Sequence, residues 1–133
     1  MKVLTLSIKQ KFFDEILSGK KTQEFREIRP SNSSKYIRYV LNGKEYKNPD
    51  DMPSEDEEPG EVTLAAVKYD AIKFLTGEYK GKRPYAIVEA KSSEIQILTD
   101  ENDQEIELEE KGIKYIAAQM CYHLGKVIDK SNY

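Results

Sequence analysis

Two long apolar runs dominate the middle of the chain. Val62 to Leu75 (VTLAAVKYDAIKFL) and Tyr85 to Leu98 (YAIVEAKSSEIQIL) are rich in β-branched and aromatic residues. Each predicts a long strand, the first apolar on both faces in places. Strands of this length bend or carry a bulge, and Ser92-Ser93 is the candidate position. Between them, Thr76 to Pro84 (TGEYKGKRP) reads as a turn with two glycines and three bases.

The N-terminal part supplies a strand and a helix. Val3 to Leu6 reads as a strand. Ser7 followed by Gln10 has the spacing of a capping box. Phe12, Phe13, Ile16 and Leu17 lie on one helical face, and Gly19 suits a left-handed terminator. A helix over Ile8–Ser18 that buries two phenylalanines is expected. Thr22 to Ile28 reads as a strand with Gln23, Phe25 and Glu27 on one face and Thr22, Glu24, Arg26 and Ile28 on the other. Tyr36 to Leu41, Asn42-Gly43 and Lys44 to Tyr46 form a hairpin pattern, because Asn-Gly supplies the positive φ angles of a two-residue turn. Toward the C-terminus, Ile113, Ile116, Ala117, Met120 and Leu124 share a helical face closed by Gly125, and Lys126 to Asp129 suits a short strand. The 133 residues fit one domain, 1–133. The expected class is α+β: a small β-barrel of mainly antiparallel strands with helices packed at its ends.

The charge is segregated. Of 24 acids, seven lie in Asn48 to Glu61 and seven in Asp100 to Glu110, neither of which contains a base; ten remain against 21 bases. The first acidic stretch, Asn48 to Gly60, has no periodicity and reads as a mobile loop. The remainder is basic and suits an anionic partner such as nucleic acid. The bland alternative is that the two acidic stretches balance a basic surface for solubility. No run of about 18 apolar residues predicts a membrane span, and the N-terminus lacks the pattern of a signal peptide. A single cysteine, Cys121, leaves no internal disulfide and suits a reducing, cytoplasmic setting.

Few residues could carry chemistry. There is no glycine-rich phosphate loop after a strand, and no cofactor is implied. Cys121 and His123 alone cannot make a zinc site. His123 reads as a half-buried histidine on the face of Ile116 and Met120, and Cys121 as a packed small residue. The stretch Gly19 to Arg26 (GKKTQEFR) stands out. Glu24 and Arg26, two apart on a strand, point the same way at about 7 Å, close to Lys21 at the strand's mouth. A partly desolvated lysine beside another cation can act as base or nucleophile. An arginine can hold a phosphate or the polar edge of a base. An exposed charge ladder is the alternative, stabilising by under about 1 kcal/mol.

The first 30 or so residues resemble the start of an ASCH domain, a family in the PUA-like group of small β-barrels associated with RNA. Its signature G-x-K-x-x-E-x-R is matched at Gly19, Lys21, Glu24 and Arg26. Leu-Ser-Ile-Lys at Leu6 to Lys9 is also typical, and the segments around Tyr69 to Ile72 and Tyr85 to Val88 look like later barrel strands. The resemblance implies a cleft for RNA, a nucleoside or a nucleotide, and makes the acidic loop at 48–61 an insertion. Lys21 and Glu24 are its candidate catalytic residues, Lys9, Lys20, Arg26 and Tyr85 its ligand-binding ones, and Gly19 its structural residue. Tyr36 and Tyr39 near Arg38, and Tyr79 and Tyr85 near Lys80, Lys82 and Arg83, interleave rings with bases; stacking a base on such a ring is worth about 1–3 kcal/mol. Some similar proteins hydrolyse the acetyl amide of a modified cytidine with the motif lysine, a threonine and a later glutamate. Here Glu24 stands where that threonine would, and Glu105, Glu107, Glu109 and Glu110 are loose candidates for the glutamate. Ribonuclease activity is also associated with some members and would need Lys21 and Glu24 as acid and base. Binding, amidohydrolysis or RNA cleavage, and a protein-interaction role for the acidic loops all stay open.

Overall fold

The computed structural model describes residues 1–77 and 83–131. Of these, 52% are strand and 12% helix. Among the described residues, no helix is long and apolar enough to cross a membrane. The elements are β1 (Val3–Ser7), α1 (Gln10–Leu17), β2 (Gln23–Ile28), α2 (Ser33–Tyr36), β3 (Ile37–Leu41), β4 (Lys44–Tyr46), β5 (Val62–Ala66), β6 (Ala71–Leu75), β7 (Tyr85–Ile97), β8 (Glu107–Glu110), β9 (Ile113–Ile116) and β10 (Ala118–Lys130). The chain divides into two compact units. Unit 1 comprises Met1–Phe25, Lys68–Ser93 and Cys121–Tyr133; unit 2 comprises Arg26–Val67 and Glu94–Met120.

Unit 1 is built on a sheet of order β1-β6-β7-β10-β2. β1 runs parallel to β6, and β6 antiparallel to β7. The registers align Leu4 with Ile72 and Val88, and Leu6 with Phe74 and Ala86. All six are buried, so the period-2 alternation of three strands converges on one apolar face. α1 adds buried Phe13 and Ile16. Each such aliphatic or aromatic side chain contributes about 1.5–3 kcal/mol.

Unit 2 is assembled from hairpins. β3 and β4 join through Asn42 and Gly43 at φ of 49° and 82°, as the Asn-Gly pair predicts. β5 pairs antiparallel on the other side of β3. β8 and β9 form a second hairpin, turning at Lys111 and Gly112 with φ of 50° and 82°. Ile28, Tyr36, Ile37, Leu41 and Val67 are buried. The first acidic stretch carries a short 3₁₀ turn, Pro49–Asp51, in which the Asn48 side chain accepts the Asp50 N–H.

Several expectations are corrected. Val62 to Leu75 is two strands rather than one: β5 pairs with β3, while β6 pairs with β1 and β7. The C-terminal helix is absent, since Ile113 to Leu124 forms β9 and most of β10, which runs on through Gly125 to Lys130. Ser7 does not cap α1. It closes β1, Lys9 takes the cap position, and no side chain bonds there. Of the two phenylalanines, only Phe13 is buried; Phe12 is exposed. Tyr79, Lys80 and Lys82 lie outside the described residues.

Candidate functional site

The Lys21–Glu24 pair is positioned by the end of α1. Gly19 has φ +79°. Around it the Gly19 N–H donates to the Ile16 carbonyl at 3.1 Å and the Lys20 N–H to the Glu15 carbonyl at 2.9 Å, the paired bonds of a Schellman motif. The Lys21 N–H also donates to Glu15, at 3.0 Å. Three consecutive amides therefore tie the exit of the helix down, and the chain enters β2 at a set angle.

β2 is inverted relative to its hydrophobicity. Phe25 is 42% exposed whereas Glu24 is 7% exposed; Gln23 and Glu27 share the outer face with Phe25. The face division expected from the spacing holds, but it is the charged face that turns inward. The Lys21 ammonium lies 3.6 Å from Glu24 Oε1, with the lysine side chain 19% exposed. Lys21 Nζ also stands 5.4 Å from the centre of the Phe12 ring, a favourable cation–π distance. Glu24 Oε1 accepts the Phe25 N–H at 3.1 Å. Taking two charges largely out of water costs several kcal/mol per ion before their attraction offsets it. An apolar pair would fill this position more cheaply, so the charges are not explained by stability.

The remaining expected residues are dispersed. Arg26, half-buried, is the first residue of unit 2. Lys9 and Lys20 are exposed; the Lys9 carbonyl accepts the N–H groups of Phe12 and Phe13. Tyr85 opens β7 opposite Leu75. Its ring lies 4.9 Å from Lys73 Nζ, and its hydroxyl donates to Asp129 Oδ2 at 3.3 Å. The charge of Asp129, then partial burial and this hydrogen bond, raise the phenol above its ordinary range. Glu107, Glu109 and Glu110 belong to β8. Glu110 accepts from the Ser31 amide and hydroxyl, and Glu107 pairs with Lys114.

Three arrangements in unit 1 escaped sequence reasoning because they join distant segments. Fully buried Thr76 donates to Gln10 Oε1 at 3.4 Å, while Arg83 donates to the Thr76 carbonyl and to Ser7 Oγ at 3.4 and 3.3 Å. Ser7 and Gln10, expected to bond each other's backbone, instead accept from Arg83 and from Thr76, which follows the C-terminal end of β6. On β10, His123 Nε2 lies 3.8 Å from the Sγ of buried Cys121, and His123 Nδ1 lies 3.3 Å from Gln23 Nε2. His123 is half-buried as expected, but on a strand rather than a helix. Finally, the Glu89 carboxylate occupies the space where a side chain at Gly125 would project, so Gly125 admits a close cross-strand approach instead of ending a helix.

Comparison of the chain with protein-family models, with curated proteins and with solved structures finds no match in any of the three.

Proposed function

We propose that this chain is an ASCH-like, PUA-like domain that binds RNA or a modified nucleoside, with Lys21 and Glu24 meeting the ligand. The observation that carries the reading is the inverted strand: Glu24 and Lys21 are largely withdrawn from water while Phe25 is left outside. Local inconsistency of this kind concentrates at functional sites. The pair offers complementary chemistry. The ammonium donates to a phosphate or to a base carbonyl, and the carboxylate accepts from an exocyclic amine or a ribose hydroxyl. Arg26, Lys9, Lys20 and Tyr85 are candidate ligand contacts on the family resemblance alone. The ion pair suits recognition directly, whereas hydrolysis would need a nucleophile or an activated water in addition.

The test is a thermal-shift screen of nucleosides, acylated cytidine and short single-stranded RNAs, repeated with Lys21→Ala, Glu24→Gln and Arg26→Ala. A stabilising ligand whose effect disappears in Lys21→Ala supports the reading. An RNA ligand must in addition weaken steeply with added salt, by a slope that falls by about 0.7 for each phosphate contact removed. Deacylation of the cytidine that stops in Lys21→Ala would make the domain a hydrolase. No shift with any of these ligands at low salt would return Lys21 and Glu24 to a structural role.

A further inference from the structure

Unit 2 contains a cavity of about 690 Å³, well within the roughly 300–1,000 Å³ of small-molecule sites. Its floor is mainly apolar, formed by the buried Ile28, Ile37 and Ala118 with buried Ser33 beside them. Its walls are apolar too, yet Leu64, Ile97, Ile113 and Ile116 are 38–56% exposed. A single exposed aliphatic side chain needs no explanation, but four large ones around one concavity mark a surface meant to be covered. Tyr39 and Tyr115 add two rings.

The charges at this cavity have one dominant sign. Arg29, Lys47 and Lys114 border it, against the single carboxylate of Asp50. Arg29 is held by Glu27 at 2.9 Å, and Lys114 faces Glu107 at 3.7 Å. The Lys114–Glu107 pair is largely solvent-exposed on both sides, so it offers little resistance to an incoming anion.

We propose that this cavity binds a small amphiphilic anion: an acyl or aryl body lying against the isoleucines and tyrosines, with a carboxylate or sulfonate directed to Lys47 and Lys114. The ligand needs an apolar body because Ile28, Ile37 and Ala118 line the floor, where buried Ser33 adds a single hydroxyl. It must be anionic because the border is cationic. It must be small because the floor, walls and border all belong to one concavity of bounded volume. This site lies within unit 2 and shares no residue with the Lys21–Glu24 pair in unit 1, so either reading can fail without the other.

The test uses the full chain and anilinonaphthalene sulfonate, an aryl anion that fluoresces when it leaves water. Expected are saturable binding of one probe per chain and displacement by decanoate. Octanoate and hexanoate should follow, each weaker by roughly tenfold per two methylenes removed. Decylammonium should displace at least tenfold less well than decanoate. In methyl-labelled protein, decanoate should move the Ile113, Ile116 and Leu64 resonances. Ile113→Lys, at a position more than half exposed, should keep the fold and lose probe affinity at least tenfold. Lys47→Glu with Lys114→Glu should weaken decanoate about tenfold and improve decylammonium. Lys11→Ala, exposed on α1 and outside both sites, should leave probe affinity unchanged. Equal displacement by decanoate and decylammonium would overturn the proposal, as would methyl shifts confined to unit 1. So would displacement by a short RNA in preference to decanoate, or concentration-dependent self-association that quenches probe binding, since either would assign the surface to another occupant.

Discussion

Gly19→Ala isolates the backbone cost of aiming Lys21. Gly19 has φ +79°, and a Cβ built there meets nothing within 4 Å. Steric exclusion by neighbours therefore contributes nothing, and the whole penalty is the left-handed conformation itself, about 1–2 kcal/mol for an L-residue. A chain of 133 residues gains roughly 0.28 kcal/mol/K on unfolding, from about 2.1 cal/mol/K per residue. The expected fall in Tm is then about 4–7 °C. Asn tolerates this backbone region better than Ala, so Gly19→Asn should lose less than half as much. Thermal melts of the three proteins test the order Gly above Asn above Ala. Acylation of Lys21, read by mass spectrometry of peptides, tests the positional consequence: a loosened Schellman motif should make Lys21 in Gly19→Ala react faster than wild type. If Gly19→Ala melts like wild type, or if Asn is as damaging as Ala, the argument from backbone conformation is wrong. Unchanged Lys21 labelling alongside the expected Tm loss would show that the motif stabilises the helix end without positioning the lysine.

Within the ion pair, the two partners should not be equivalent. Glu24→Gln keeps an acceptor for the Phe25 N–H and leaves behind the more exposed lysine, so it should cost about 1 kcal/mol. Lys21→Ala leaves the more buried carboxylate behind and should cost about 2–3 kcal/mol; urea titrations in which Glu24→Gln proves the worse would refute this ordering. Gly125→Ala forces the Glu89 carboxylate to move; the fold should survive with a loss of about 1–2 kcal/mol, and Glu89→Ala in the same chain should recover most of it. The phenol of Tyr85, raised by Asp129, should ionise at higher pH than an ordinary tyrosine. Ionisation is disfavoured in the folded chain, so the associated stability is present below the ordinary phenol range and is lost as pH rises through the raised value. In ultraviolet titrations the difference between wild type and Tyr85→Phe should move to lower pH in Asp129→Asn, and an unmoved difference would remove Asp129 as the cause.

Features decided by short-range chemistry were legible in the chain itself. Asn42-Gly43 turns where the positive φ angles require it, Gly19 ends α1 in a Schellman motif, and period-2 alternation divides β2 into the two faces observed. What could not be read from neighbours alone was which partner each segment would find. The apolar spacing of Ile113, Ile116, Ala117, Met120 and Leu124 fits a helix. In the folded chain Ala117 bonds to Leu98 and Ile106, and Leu124 donates to the Thr22 carbonyl. Those long-range backbone bonds satisfy the amides that a helix would have satisfied locally, and β10 then buries alternate residues Ala118, Met120, Tyr122 and Leu124 together with Cys121. The same competition divides Val62 to Leu75 at Val67 to Asp70, because β3 claims one half and β1 and β7 the other. Likewise, the motif at Gly19 to Arg26 announced charges at a helix-to-strand junction. Only tertiary packing determined that Glu24 would be inside and Phe25 outside, since a strand's alternation specifies two faces but the core it meets decides which one is buried.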